Sequence, residues 1–150
     1  MCWANDMKIL VLNGPNLNLL GMREPELYGK RDYAALETYI REVAQRYGAE
    51  VEVRQTNHEG MLVDWIQGSA GVFDAVVLNA AAYTHTSVAI LDALKAVKIR
   101  TIEVHLTEPK NREDFRRVSY VGLVAEKTFS GRGFESYADA IAYLSGGSAG

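Results

Sequence analysis

The stretch that decides the architecture is Ile9-Leu10-Val11-Leu12, followed at once by Asn13-Gly14-Pro15. A short, fully apolar run that stops at Asn-Gly-Pro reads as a buried strand running into a loop. The same signature returns at Ala75-Val76-Val77-Leu78, which ends at Asn79. Strands that lack polar alternation are covered on both faces, the situation of a parallel sheet flanked by helices.

The segments between and beyond these strands fit that scheme. From Tyr33 to Tyr47 the apolar positions Leu36, Tyr39, Ile40 and Val43 recur at helical spacing, and Gly48 stands where a helix C-terminus wants it. Val51 and Val53 alternate with charge, which predicts a less buried strand from Glu50 to Gln55. Met61, Leu62, Trp65 and Ile66 predict a short amphipathic helix with Gly68 near its end. Val88, Ile90, Leu91, Leu94 and Val97 predict another, with Thr86 or Ser87 as N-cap. A fourth strand covers 101–105, a short helix 112–117, a fifth strand 124–129 and a last helix 134–144. Five strands alternating with helices define an α/β protein, and right-handed crossovers make a flavodoxin-like, doubly wound sandwich with a five-stranded parallel sheet the expected topology.

The bulk numbers bound the function. With 150 residues, 48% hydrophobic and 23% charged, the chain is read as one globular domain over 1–150, with 1–6 and 146–150 as flexible tails. A net charge of −3 offers no broad basic field for nucleic acid or an anionic membrane. No apolar run approaches the ~20 residues of a membrane helix. One cysteine, Cys2, permits no disulfide within the chain, and Met1 to Asp6 lacks the basic and apolar regions of a signal peptide. The expectation is a soluble cytoplasmic protein.

Ligands of open parallel sheets sit outside the carboxyl ends of the strands. After the first strand comes a connection of about 20 residues, far beyond the usual 2–6, and such loops are often lids. After the third come Asn79, Tyr83, Thr84 and His85; after the fourth, His105, Leu106, Thr107 and Glu108, then Arg112 and Arg116. Three strands thus deliver Asn, His, Arg and Tyr to one rim. Packing alone does not explain that.

These segments resemble the type II 3-dehydroquinate dehydratase family over about Lys8 to Leu144. The resemblance is carried by the run from Leu12 to Gly21, with Arg23-Glu24-Pro25 and Tyr28-Gly29 at the family spacing. It continues in Arg54-Gln55-Thr56-Asn57-His58-Glu59-Gly60, Asp64-Trp65-Ile66, Tyr83-Thr84-His85-Thr86-Ser87 and Glu103-Val104-His105-Leu106. It implies a cofactor-free hydro-lyase acting on 3-dehydroquinate, in shikimate or quinate metabolism, assembled as a dodecamer built from trimers. In that scheme Tyr28 is the base that takes a proton from carbon 2, and Asn16 holds a water against the enolate oxygen. His105 is the acid for the departing hydroxyl and Glu103 orients it, while Arg23 and Arg112 lower the tyrosine pKa. Asn79, Thr107 and the amides of Leu106 and Thr107 hold the substrate carboxylate. Ring hydroxyls meet His85, Arg116 and, across a subunit contact, Asp92. Where the family has Pro-Gly after the strand-three asparagine, Ala80-Ala81 stand here. Thr107 replaces the commoner serine, and Glu108 an asparagine.

Taken singly, each residue has a plainer reading: Tyr28 as a surface aromatic, Arg23 and Asp92 as solvated charges, His105 as a structural histidine, Asn16 and Asn79 as turn formers. Their joint spacing is what favours chemistry. Rival functions leave other traces. A flavin mononucleotide carrier needs a Ser/Thr/Gly-rich phosphate loop after strand one, where Pro15 removes an amide donor. A phospho-acceptor receiver needs an aspartate where Asn79 stands. A catalytically altered relative, binding or dehydrating a neighbouring cyclic hydroxy acid, stays open because of Ala80, Ala81 and Glu108. The three histidines lie too far apart in sequence to suggest a metal site.

Overall fold

The computed structural model describes residues 7–22, 31–108 and 113–146. Five strands form one parallel sheet: β1 (Lys8–Asn13), β2 (Glu50–Gln55), β3 (Ala75–Asn79), β4 (Arg100–His105) and β5 (Lys127–Ser130). Their order across the sheet is β2-β1-β3-β4-β5. Four helices accompany them: α1 (Tyr33–Arg46), α2 (Glu59–Ser69), α3 (Val88–Val97) and α4 (Glu135–Leu144). The fold is the doubly wound, flavodoxin-like sandwich that the sequence predicts.

The order explains the layering. The connection from β1 to β2 steps one way across the sheet, and every later connection steps the other way. With right-handed crossovers, that reversal puts the intervening helices on opposite faces. Accordingly α1 and α4 cover Ile9, Val11, Val77, Ile102 and Val104, using Leu36, Ile40, Val43, Tyr137 and Ile141. On the opposite face α2 and α3 cover Leu10, Leu12, Val76 and Leu78 with Leu62, Ile66, Ile90 and Leu94. Alternate strand residues belong to alternate cores, as the pleat requires. The reversal falls between β1 and β3, where Asn13 and Asn79 are register partners.

Local chemistry sets the helix ends. Asp32 caps α1 by accepting from the Ala35 amide at 2.9 Å, and Ser87 caps α3 by accepting from that of Ile90 at 2.9 Å. Gly48 turns the chain out of α1 with φ 70, as its position predicts.

Two expectations are corrected. Residues 124–126 are not strand: Val124 and Ala125 follow the 3-10 turn Val121–Leu123 and pack against the α2–α3 core, and β5 begins only at Lys127. The apolar residues there plug a core instead of pairing in a ladder. The short helix expected over 112–117 is, among the described residues, the single turn Asp114–Arg116. Gly68 lies near the end of α2, as expected, and the Gly146 amide donates to the Tyr143 carbonyl at 3.2 Å in the turn after α4.

Candidate active site

At the carboxyl end of β4, residues two apart point the same way, so Glu103 and His105 share a face. Both are buried, at 3% and 8% exposure. His105 Nε2 lies 2.6 Å from Glu103 Oε2. Because the carboxylate accepts, Nε2 carries the proton of this bond, and Nδ1 is the ring nitrogen left for other chemistry.

Glu103 has further partners that sequence reasoning missed. Ser119 and Thr84 donate to Oε2 at 2.5 and 3.2 Å, and Thr128 donates to Oε1 at 2.8 Å. Thr128 is its cross-strand neighbour in the β4–β5 ladder. Ser119 is itself held by the Gly122 amide at 3.0 Å. Burial by itself would raise the Glu103 pKa, but the His105 bond and charge, with the Ser119 and Thr128 bonds, outweigh it and hold the carboxyl at about 2. A fixed anion against an imidazole is the arrangement that orients and supports a protonated histidine.

Around this pair the other expected residues fall into separate groups. Asn79 ends β3 at 3% exposure, its Oδ1 accepting from the Ala81 amide at 3.2 Å and its Nδ2 donating to the Tyr137 hydroxyl at 2.9 Å. Asn16 is exposed in a left-handed conformation with φ 72, pinned by its amide to Asn57 Oδ1 at 2.9 Å. His85 ends the 3-10 turn Ala81–His85, and its Nδ1 meets the Val118 carbonyl at 2.7 Å. A carbonyl cannot donate, so Nδ1 carries hydrogen, and in the neutral ring Nε2 is an acceptor. The Asp114–Arg116 turn packs against that of His85; Arg116 Nε donates to Glu113 at 3.2 Å. Leu106 and Thr107 follow β4 directly and are half-buried. Glu108 accepts from Ser130 Oγ at 3.0 Å. Asp92 is exposed on α3. Tyr28, Arg23 and Arg112 lie outside the described residues.

Among the described residues no group of three or more His, Cys, Asp or Glu side chains could hold a metal ion. No helix there is long and apolar enough to cross a membrane.

A parallel sheet with a buried carboxylate–imidazole pair at its carboxyl edge defines a flavodoxin-like α/β protein whose rim offers paired acidic and basic groups. Comparison with known proteins narrows the class: the chain belongs to the dehydroquinase class II family, whose model matches residues 7–145. A 3-dehydroquinate dehydratase of Variovorax paradoxus is 48% identical, over 91% of this chain and 97% of that one. Another from Geotalea daltonii is 50% identical over 87% and 91%. Among solved structures, the type II dehydroquinase of Butyrivibrio crossotus superposes with a TM-score of 0.88 at 45% identity, covering 93% of this chain and 97% of that one.

Proposed function

We propose that this chain is a type II 3-dehydroquinate dehydratase, removing water from 3-dehydroquinate to give 3-dehydroshikimate by a reversible anti elimination through an enolate. The observation that carries the reading is the buried Glu103–His105 pair, 2.6 Å apart at the edge of β4, in a chain of this family.

In the proposed mechanism Tyr28, ionised beside Arg23 and Arg112, takes the proton from carbon 2, next to the ketone. The electron pair moves into the enolate, whose oxygen meets a water held by Asn16. The enolate then collapses, the bond to the β-hydroxyl breaks, and His105 gives that oxygen a proton so that water leaves. Glu103, already an anion, supports the imidazolium through Nε2 while Nδ1 faces the leaving group. Oxidation state does not change, so the elimination calls for no redox group. Asn79, Thr107 and the amides of Leu106 and Thr107 hold the substrate carboxylate. His85, whose Nε2 can accept from a hydroxyl, and Arg116 meet the ring hydroxyls. Asp92 of a neighbouring subunit completes the site in a trimer, four of which make the dodecamer of a cytoplasmic enzyme.

The test is direct. Purified protein mixed with 3-dehydroquinate, in chelator and without added metal, is expected to produce an ultraviolet-absorbing enone. A flat trace overturns the reading in favour of an altered relative. Tyr28→Phe is expected to abolish turnover while leaving ligand binding largely intact, and a retained rate removes Tyr28 as the base.

A further inference from the structure

Tyr137 stands on α4, takes no part in the elimination and is fully buried. A phenol in an apolar core needs partners. This one has two, Asn13 Oδ1 at 2.6 Å and Asn79 Nδ2 at 2.9 Å. Both belong to the rim where β1 and β3 end side by side.

The direction of every bond in this group is forced. The Ala81 amide can only donate, so the Asn79 atom 3.2 Å from it is the carbonyl oxygen. The other end of that side chain is then the NH2, which also can only donate, so the Tyr137 oxygen accepts from it. Tyr137 must send its own proton to Asn13 Oδ1. That in turn fixes the Asn13 NH2, which donates to the Tyr33 hydroxyl at 3.4 Å. Burial pushes the Tyr137 phenol up, so the proton that closes this chain stays in place.

We propose that Tyr137 is a positioning residue for the substrate carboxylate: together with the Ala81 amide it locks the Asn79 side chain, oxygen towards Ala81 and NH2 towards the phenol, so that the second N–H of that NH2 is left for a ligand. The inference rests on the dehydratase reading and deepens it. Asn79 is the residue assigned to the carboxylate, and its oxygen is committed to Ala81. An acceptor-only group therefore finds a matching partner in that N–H. Without the phenol the amide loses one of its two restraints, and a buried donor loses its acceptor.

The experiment is a double-mutant cycle of wild type, Tyr137→Phe, Asn79→Ala and the double variant, assayed with 3-dehydroquinate and melted in parallel to confirm folding. Tyr137→Phe is expected to raise KM about tenfold with kcat within about twofold, the mark of lost binding that is equal in ground and transition states. In the Asn79→Ala background the same substitution is expected to change KM by less than about twofold. An unchanged KM in Tyr137→Phe overturns the proposal. So does an equal effect in both backgrounds, which a packing role alone would give. Should Tyr137→Phe not fold, Asn13→Ala, which keeps the phenol but removes its acceptor, takes its place in the same cycle under the same criterion. Wild type that leaves 3-dehydroquinate untouched defeats the dehydratase reading itself, and this inference with it, before any substitution is compared.

Discussion

A carboxylate at 3% exposure would ordinarily take up a proton instead of staying charged. Glu103 stays charged because one imidazole and three hydroxyls meet it. Its folded value near 2 lies below the ordinary 4.5, so the charge contributes stability at every pH above about 4.5, and that contribution is lost as pH falls towards 2. Linkage puts it on the order of 3 kcal/mol. Denaturant titrations at a series of pH values are expected to show wild type weakening through this window and Glu103→Gln weakening much less. Glu126 titrates equally low because Arg100 hydrogen-bonds it, but it sits on the surface, is screened by solvent and is common to both proteins. The same substitution is expected to lower kcat by about 100-fold, because His105 loses the anion that supports its imidazolium, and an undiminished rate would remove Glu103 from that role. The pair itself was legible, since spacing of two on a strand and the family pattern both point to it. The hydroxyls were not. Thr84, Ser119 and Thr128 are far apart in the chain, and only the Ala81–His85 turn, the 119–122 turn and the β4–β5 register bring them to one carboxylate.

At the scale of elements, the turns after β1 and β3 lie against each other. A side chain on Gly14 would put its first carbon 2.5 Å from the Ala80 carbonyl oxygen, so the glycine is there for close approach. Gly14→Ala is expected to cost about 2 kcal/mol or more, read as a fall in Tm. Ala81 presents the opposite case. It holds φ 53, the left-handed region that disfavours any side chain, while Ala80 at φ −74 lies in the range proline adopts. Ala80-Ala81 thus hold a backbone that Pro-Gly could adopt without strain. The departure was visible in the sequence; what it does to the backbone was not. Because glycine relieves the strain at φ 53 without moving the backbone, Ala81→Gly is expected to add about 0.5–1 kcal/mol and raise Tm by about 2 °C while leaving KM alone. An improved KM would mean that the alanines distort the carboxylate site after all. Strand and helix identities were legible wherever burial on both faces or a 3.6-residue repeat dominated. They failed at 124–126, where Val124 and Ala125 pack against a core after a turn and the pattern resembles a strand's.

For the molecule as a whole, the sheet order follows from short right-handed connections, and that made the architecture legible from a few strands. Which surfaces meet another copy is a different matter, because local patterning says nothing of partners. Asp92 shows it: exposed on α3, it has a function in the proposed site only if a second subunit brings it there. That arrangement has a consequence a self-contained site lacks. Tyr28→Phe and Asp92→Ala would damage sites in different ways, one by removing the base from its own subunit, the other by removing a substrate contact from a neighbour's. Co-expressed in equal amounts, they would assemble into mixed trimers in which roughly a quarter of sites pair an intact Tyr28 with an intact neighbouring Asp92. Activity of the mixture is therefore expected to exceed the average of the two homogeneous variants, approaching roughly that quarter of wild type when both variants are severe. Sedimentation of the same samples should show assemblies larger than a monomer. If each site drew Tyr28 and Asp92 from one chain, no mixture could restore both, and activity would equal the average of the parents.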